Sequence, residues 1–454
     1  MKRNRIFISL LAGAIALFSL TSCLFEQKDQ FDESASVRMS QTLANTKAVL
    51  TQQTNGWIMC YYPDNDQYYG GFNYIVKFTE ETATVWSEIF DGSSESLYKM
   101  TTNNGPVLSF DTNNELFHFF ATPSGSTKNL YGDTGRYQAY RGDFEFLILS
   151  ANAQEVRLKG NRSGCLIVMV PFTGDDPDAY MQKVRNSNEA IFVSEFNGTV
   201  GTLPLHIFLD LSNRQAQINI IEEDAAVQKI AYMYTENGIR FYKPVTVGTY
   251  TIQELNWNAE AQKLTSAEVD LVGALPAGWH AYDDFIGTWK LTFNGGASFL
   301  DGIVISEVEK GKSFIISGFS KQFDLKATYN LGSGKVQLLS QIVGKNESGN
   351  DIRMASWDSK AGYVNYGDTI GFFLTFGENA EGVDDASTIY FSDNHVWLSY
   401  TVSGFILYRM NGSTRLGAST APWLFRMDEA TGTAIAADQY NRLRTPSKLT
   451  RVNE

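Results

Sequence analysis

Residues 203–211 read LPLHIFLDL, and their hydrophobicity alternates with a period of two. Leucine or isoleucine occupies every odd position, whereas Pro204, His206 and Asp210 stand at even positions. Successive side chains of a β-strand point to opposite faces of a sheet, so this segment predicts a strand with one buried face and one wetter face. The pattern is typical of antiparallel sheets.

Short runs rich in Val, Ile, Tyr and Phe lie on both sides of this segment, and clusters of Gly, Asn, Asp, Ser or Pro separate them. This spacing predicts hairpin-connected antiparallel strands. The predicted strands of the first half cover residues 57–62, 72–78, 83–90, 107–110, 116–121, 144–150, 156–159 and 166–170. Between later runs, Asn237-Gly238 is the strongest hairpin turn in the chain, since both residues accept positive φ.

Two helices are expected beside these strands. One helical face carries four side chains that an amphipathic helix would bury: Met39, Leu43, Thr46 and Leu50. They predict a helix over residues 34–54, and Gly56 supplies a stop. Asp176 followed by Pro177 is typical of a cap and a first helical position, which predicts a second, short helix.

The length of the chain favours two domains. Pro and Gly interrupt the pattern within residues 273–284 (GALPAGWHAYDD), where a boundary is expected. The predicted parts are a helix plus an antiparallel β domain over residues 34–275, an antiparallel barrel or sandwich over residues 283–416, and an irregular tail over residues 417–454. About ten strands fit the second domain, a count that suits either architecture, and one of them is predicted over residues 396–401. The fold class is therefore mainly β, and Gly287-Thr288-Trp289 resembles the Gly-x-Trp of lipocalin-like barrels.

The first residues have the layout of an export signal. Three basic residues precede an uncharged, mostly apolar run over residues 6–20, and small residues lead to Cys23. The run is shorter than the ~20 residues that a membrane-spanning helix needs. A cysteine at this position resembles the bacterial lipobox, which predicts removal of residues 1–22 and lipid acylation of Cys23. Residues 23–33 then form an acidic tether that resembles the surface-export signal of Bacteroidetes lipoproteins.

Charge and cysteine content limit the possible partners. The net charge of −13 repels phosphate backbones, so nucleic acid is not an expected partner. Apart from Cys23, only Cys60 and Cys165 remain. Two buried free thiols are favoured because a domain of this size can be held by its core, although export leaves a disulfide between them open.

Several short motifs follow one another in a distinctive order across residues 34–170. They are Gly56-Trp57, Tyr61-Tyr62-Pro63, Gly70-Gly71-Phe72, Lys77-Phe78, Leu108-Ser109-Phe110-Asp111, Leu116-Phe117-His118-Phe119 and Gly142-Asp143-Phe144-Glu145-Phe146. In this order they resemble a Bacteroidetes lipoprotein family known as domain-of-unknown-function family 4302. The resemblance implies a cell-envelope lipoprotein, often encoded beside outer-membrane uptake systems that pair a porin with a lid lipoprotein. It implies no activity.

Aromatic residues suggest a binding surface. The chain has 8 Trp, 22 Tyr and 30 Phe. Six rings crowd one region: Trp57, Tyr61, Tyr62, Tyr68, Tyr69 and Tyr74. Flat amphipathic rings near Asp and Asn suit a glycan, and equally a planar ligand such as haem. The alternative is that these aromatics fill the core of a sheet.

Catalytic signatures are absent from the sequence. It contains neither His-Glu-x-x-His nor Gly-x-Ser-x-Gly, and no metal or cofactor is expected. The leading hypothesis is a non-catalytic outer-membrane lipoprotein, displayed on the surface or on the periplasmic face, that assists nutrient uptake through its aromatic surface. Two alternatives stay open: a surface hydrolase whose carboxylates converge only in the fold, and a structural or adhesin lipoprotein.

Overall fold

The computed structural model of the chain describes residues 33–102, 105–110, 112–122, 139–220, 226–320, 322–378, 384–418 and 441–452. The predicted signal peptide, Cys23 and all of the predicted tether except Glu33 lie outside the described residues. The chain forms two compact units that divide between Val272 and Gly273. Both consist mainly of antiparallel strands, which confirms the predicted fold class. Among the described residues, no helix has the length and apolar character needed to cross a membrane.

Helix α1, Ala35–Gln52, opens the first unit and confirms the predicted N-terminal helix. Ser34 caps it, because its Oγ accepts a hydrogen bond from the N–H of Val37 at 3.4 Å. Leu50 in the last turn is fully buried, and its carbonyl accepts a hydrogen bond from the indole N–H of Trp57 at 3.0 Å. This bond fastens the end of the helix to the first strand.

The first nine strands form one antiparallel sheet. In chain order they are β1 (Trp57–Tyr61), β2 (Phe72–Phe78), β3 (Thr82–Ser87), β4 (Ser93–Leu97), β5 (Lys99–Thr101), β6 (Val107–Ser109), β7 (Glu145–Ala151), β8 (Val156–Gly160) and β9 (Leu166–Pro171). Their order across the sheet is β4-β3-β2-β1-β9-β8-β7-β6-β5. The pairing of β1 with β9 therefore joins the two meanders and places β9 at the centre with β1 beside it.

One predicted strand of this region, residues 116–121, is wrong, since the segment forms turns. The Oδ1 of Asn114 accepts a hydrogen bond from the N–H of Phe117 at 3.1 Å. The carbonyl of Asn114 accepts a second bond from the N–H of His118 at 2.9 Å. These local bonds satisfy backbone groups that would otherwise need a neighbouring strand. The apolar side chains of the segment are still buried, which explains why its composition resembled that of a strand.

Helix α2, Pro177–Ala190, confirms the second predicted helix. Its cap is Asp176, whose Oδ1 accepts a hydrogen bond from the N–H of Ala179 at 3.0 Å. The next eight strands close into a barrel that the sequence did not predict in this half of the chain. They are β10 (Glu195–Val200), β11 (Leu203–Asp210), β12 (Gln215–Ile220), β13 (Gln228–Thr235), β14 (Gly238–Val247), β15 (Tyr250–Asn258), β16 (Lys263–Thr265) and β17 (Val269–Gly273).

The alternation in β11 is confirmed, because Leu205, Ile207 and Leu209 are fully buried in the core of this barrel. The predicted hairpin between β13 and β14 is also present, but its turn lies one residue earlier than predicted. Thr235 pairs with Gly238, so Glu236 and Asn237 are the two turn residues.

Gly238 is the first residue of β14 rather than part of the turn. A Cβ at this position would lie 2.1 Å from the carbonyl oxygen of Leu255 on the neighbouring strand. A glycine is therefore required for close approach of β15 rather than for the turn itself.

The second unit contains fourteen strands among its described residues. They are β18 (Gly287–Phe293), β19 (Ser298–Glu309), β20 (Ser313–Ser317), β21 (Leu325–Asn330), β22 (Lys335–Leu339), β23 (Gln341–Lys345), β24 (Asp351–Asp358), β25 (Tyr363–Asn365), β26 (Gly371–Glu378), β27 (Asp384–Asp393), β28 (Gly404–Asn411), β29 (Thr414–Ala418), β30 (Arg442–Arg444) and β31 (Lys448–Arg451). Eight of them, β18 to β22 with β26, β27 and β31, close into a barrel, as one of the two predicted architectures requires. The other six form a separate sheet, in which β28 pairs with β24, β29 and β30.

Two expectations for this unit are wrong. The C-terminal tail is not irregular where it is described: β31 pairs with β18 and β27, and its Leu449 is fully buried. Arg451 of the same strand stacks over the ring of Trp289 at 4.3 Å, so the last strand closes the barrel. The predicted strand over residues 396–401 is a loop, held at its end by a hydrogen bond from the N–H of Thr401 to Asp358 Oδ2 at 3.1 Å.

Candidate functional site

Four of the six rings predicted to form a binding surface belong to the core of the first sheet. Trp57, Tyr61, Tyr62 and Tyr74 are each at most 2% exposed. The prediction is wrong for these four because β1 and β2 are inner strands with both faces covered. Their aromatic side chains pack into one cluster, and on the opposite face Ile75 packs against helix α2.

Tyr68 and Tyr69 lie nearer the surface than the other four rings. Tyr68 is 56% exposed and its ring contacts that of Tyr69, with 5.1 Å between centroids. Tyr69 is partly buried and packs against Tyr140 at 5.2 Å. Of the predicted surface, only this small edge is open to solvent. The predicted lipidation site, Cys23, lies outside the described residues.

The two remaining cysteines, Cys60 and Cys165, are buried and free. Burial raises the pKa of both thiols, which keeps them protonated and weakly nucleophilic. The Sγ of Cys165 donates to the carbonyl oxygen of Asp64 at 2.8 Å. Neither cysteine contributes to a metal centre, and the described residues contain no group of three His, Cys, Asp or Glu side chains placed to hold a metal ion.

A cleft of about 510 Å³ lies in the first unit between helix α2 and one end of its barrel. Its lining, which we call the amide–indole cleft, consists of Lys183, Asn186, Ser187, Ala190, Glu236, Asn237, Asn256 and Trp257. This volume falls within the range of pockets that take small molecules.

Three structural elements build the cleft. Helix α2 contributes residues at positions i, i+3, i+4 and i+7, which places Lys183 to Ala190 on a single helical face. The β13–β14 turn contributes Glu236 and Asn237, and β15 contributes Asn256 and Trp257. The N–H of Trp257 donates to the carbonyl of Asn237 at 2.7 Å, which fixes the strand wall against the turn.

The polar groups of the cleft are held in defined positions. Lys183 Nζ lies 3.3 Å from Glu236 Oε2, so the helix and the turn are joined by an ion pair across the cleft. Ser187 Oγ donates to the carbonyl of Gly238 at 3.4 Å. These contacts leave the cleft with both hydrogen-bond donors and acceptors around its rim.

The indole of Trp257 supplies the apolar part of the lining. Its ring packs edge-to-face on Phe196, with 6.0 Å between centroids. Its Nε1 is buried and has no hydrogen-bond partner among the described residues. An unpaired buried N–H costs about 1–3 kcal/mol unless an ordered water or a ligand accepts its hydrogen bond.

The lining combines amide groups, one ion pair and an indole ring. Glu236 is the one carboxylate in the lining, whereas glycoside hydrolysis uses two carboxyl groups. The lining also contains no His, Cys, Met or Tyr, the residues that ligate haem iron. Sequence reasoning identified the α2 cap and the Asn237-Gly238 hairpin, but not the cleft, because closure of the barrel brings these elements together.

The fold and the cleft define a mainly β protein with two barrels and a polar, indole-bearing cleft in its first unit. The chain belongs to the family described as Domain of unknown function (DUF4302), whose model matches residues 27–259. This match includes every residue that lines the amide–indole cleft. A second family model, also described as a domain of unknown function (DUF4987), matches residues 264–408.

Comparisons with individual proteins add little. No curated protein matches the chain significantly. Among solved structures, the chain is similar to the crystal structure of isotype 1 transferrin binding protein B from serogroup B Neisseria meningitidis. The TM-score is 0.14 at 9% identity, over 74% of this chain and 71% of that chain. A similarity this low carries no argument about fold or function.

Proposed function

We propose that this protein is a non-catalytic cell-envelope lipoprotein that binds a neutral saccharide in the amide–indole cleft. Its anchor is lipid on Cys23, and its role is that of an accessory to outer-membrane nutrient uptake of the Bacteroidetes type. The observation that carries the ligand assignment is the presence of Trp257 and three asparagines in one cleft.

Saccharides match this lining in two respects. The C–H face of a sugar ring packs on an indole, and its hydroxyl groups both donate and accept hydrogen bonds. The amides of Asn186, Asn237 and Asn256 also do both. The cleft carries one positive and one negative side chain, Lys183 and Glu236, so its lining has no net charge to attract a charged ligand.

The anchor rests on the sequence. The basic start, the apolar run over residues 6–20 and Cys23 form a lipoprotein signal, and the acidic tether that follows favours display on the cell surface. The envelope also supplies the expected partners, a porin and its lid lipoprotein, which would receive the captured saccharide.

A glycan array with purified protein tests the ligand assignment. The double variant Lys183→Ala/Asn256→Ala removes two exposed side chains from the lining. Asn188→Ala is the matched control, because Asn188 is exposed on the same helix and does not line the cleft.

The expected result is binding of at least one neutral saccharide by the wild type and by the control, with loss in the double variant. The proposal is wrong if the wild type binds no saccharide on the array, or if the double variant binds as the control does.

A further inference from the structure

The six-stranded sheet of the second unit carries a row of alternating arginine and aromatic side chains. We call it the arginine–aromatic row: Arg415, Tyr408, Arg442, Trp357 and Arg444. The guanidinium carbons of Arg442 and Arg444 lie 5.5 and 5.2 Å from the centroid of the same indole ring, that of Trp357. Arg415 lies 5.0 Å from the ring centroid of Tyr408.

Strand register explains why these side chains meet. In β30, Leu443 is buried in the hydrophobic core that the six-stranded sheet shares with the second barrel. Arg442 and Arg444 therefore lie on the opposite face of the sheet. Arg442 pairs with Ile406, Arg444 pairs with Gly404, and Trp357 pairs with Gly404 from the other side. The three strands therefore present these residues on one face.

Gly404 makes the contact between the indole and Arg444 possible. A Cβ at this position would lie 3.3 Å from Cε3 of Trp357 and 2.3 Å from the carbonyl oxygen of Leu443. Since glycine has no side chain, the indole can extend across β28 towards β30.

The charges of Arg442 and Arg444 are not neutralised within the described part of the chain. Neither side chain forms a hydrogen bond or ion pair with a described residue, and the Nε of each is buried without a partner. By contrast, Arg353 on the same face pairs with Asp368. The chain has 50 acidic and 37 basic residues, so acidic partners are not scarce. Two arginine side chains without a described partner therefore form a locally basic site in an acidic protein.

Two arginines of the row act on the phenol of Tyr408. Burial raises the pKa of Tyr408, and the neighbouring Arg415 and Arg442 oppose this shift. Both guanidinium groups are therefore near enough to this phenol to affect its ionisation.

We propose that the arginine–aromatic row binds an acidic polysaccharide through its carboxylate or sulfate groups. A guanidinium that stacks on an aromatic ring keeps its N–H edge free for an oxyanion, and its fork matches carboxylate and sulfate oxygens in pairs. Trp357 is buried beneath the two guanidinium groups, so the partly exposed ring of Tyr408 is the one that can pack against a sugar C–H face. The overall negative charge is screened beyond about 8 Å at physiological ionic strength, so the local charge dominates at contact. This site lies in the second unit and does not depend on the amide–indole cleft.

Dextran, carboxymethyl dextran and dextran sulfate give a test with one polymer backbone. The expected result is that the wild-type protein binds at least one of the two charged polymers and not neutral dextran. Binding should weaken as NaCl is added. Of the two charged polymers, the one bound more tightly identifies carboxylate or sulfate as the preferred group.

Arg442→Gln/Arg444→Gln removes two charge-assisted contacts and should weaken binding at least about tenfold. Arg442→Lys/Arg444→Lys keeps the two charges but loses the guanidinium fork. Its affinity for the charged polymer should lie between that of the wild type and that of the glutamine double variant. The control, Lys310→Gln/Lys326→Gln, makes the same charge change at exposed positions of the same unit and should stay within about twofold.

Three results would overturn the proposal. The first is that the wild type binds neither charged polymer at low salt, and the second is that Arg442→Gln/Arg444→Gln weakens binding no more than the control Lys310→Gln/Lys326→Gln does. The third is that duplex DNA binds as tightly as the charged polymers. The first two would remove the site, and the third would remove its assignment to polysaccharide. Circular dichroism of each variant establishes that the fold is retained.

Discussion

Arg214 Nη1 lies 2.6 Å from Glu88 Oε1, and their side chains are only 11% and 4% exposed. The pair joins the two parts of the first unit, because Glu88 follows strand β3 of the sheet and Arg214 precedes β12 of the barrel. Asn73 donates to Glu88 Oε2 through its backbone N–H at 2.8 Å and its side chain at 2.6 Å. The guanidinium also stacks over Phe72 at 4.2 Å.

Arg214→Met should therefore destabilise the first unit strongly. It leaves the Glu88 carboxylate buried without its cation, which typically costs about 3–5 kcal/mol. The control is Arg157→Met, since Arg157 forms an equally short but solvent-exposed pair with Glu155, whose loss should change stability far less. Urea denaturation measures both. Equal stability of the two variants would show that the buried pair does not hold the sheet to the barrel.

Replacement by alanine should destabilise the protein strongly at Tyr61 and very little at Tyr68. Tyr61→Ala removes a fully buried ring and should cost about 3–5 kcal/mol, whereas Tyr68→Ala removes an exposed ring and should change stability by less than about 0.5 kcal/mol. Tyr61→Phe isolates the hydroxyl, which accepts a hydrogen bond from the N–H of Asp143 at 2.7 Å. Thermal melts of the three variants check the order, and a stable Tyr61→Ala protein would contradict the assigned core.

Alkaline pH should destabilise the fold above the usual tyrosine range. Burial raises the pKa of Tyr61 and Tyr232 far above the usual value, and that of Tyr98 to about 12. Because the folded state favours the neutral phenols, their contribution is complete below the unfolded pKa of about 10 and is lost as pH rises above it.

The urea midpoint should consequently show no loss from tyrosine ionisation between pH 7 and 9, and should fall beyond pH 10. Tyr98→Phe should reduce the fall between pH 10 and 12. A wild-type midpoint that stayed constant from pH 9 to 12 would contradict the burial of these phenols.

Cys23→Ser should release the protein from membranes. If Cys23 carries the lipid, the variant has no acylation site and should appear in the soluble fraction without incorporating labelled palmitate. Cys60→Ser and Cys165→Ser serve as controls, because both cysteines are buried and should leave membrane association unchanged. Continued acylation of the Cys23→Ser protein would contradict the proposed anchor.

Sequence patterns predicted local structure well wherever one physical rule dominated. Strict alternation identified β11, and the Asp176-Pro177 pair identified the start of α2. The strand predicted over residues 116–121 is wrong because hydrogen bonds to the side chain and the carbonyl of Asn114 hold the segment in turns, although its composition is typical of a strand. The number of apolar residues in a segment therefore does not distinguish a strand from a buried series of turns.

The sequence patterns did not predict which distant strands pair to close the two barrels. Leu449 completes the second barrel from the far end of the chain, and the amide–indole cleft forms only where α2 meets a barrel end. Tyr61 and Tyr74 were predicted to lie on a binding surface but are buried, because a cluster of aromatic residues in the sequence does not indicate whether both faces of a strand are covered. The Asn237 hairpin gave one wall of the cleft, but Trp257 became relevant only through strand pairing.

Isothermal titration of the best saccharide from the array is the most direct test of saccharide binding in the amide–indole cleft. We expect saturable binding by the wild type and by Asn188→Ala, and a dissociation constant at least about tenfold higher for Asn256→Ala if its amide makes one well-placed hydrogen bond. Unchanged affinity in Asn256→Ala and in the Lys183→Ala/Asn256→Ala double variant would place the saccharide elsewhere and contradict the proposed function of the cleft.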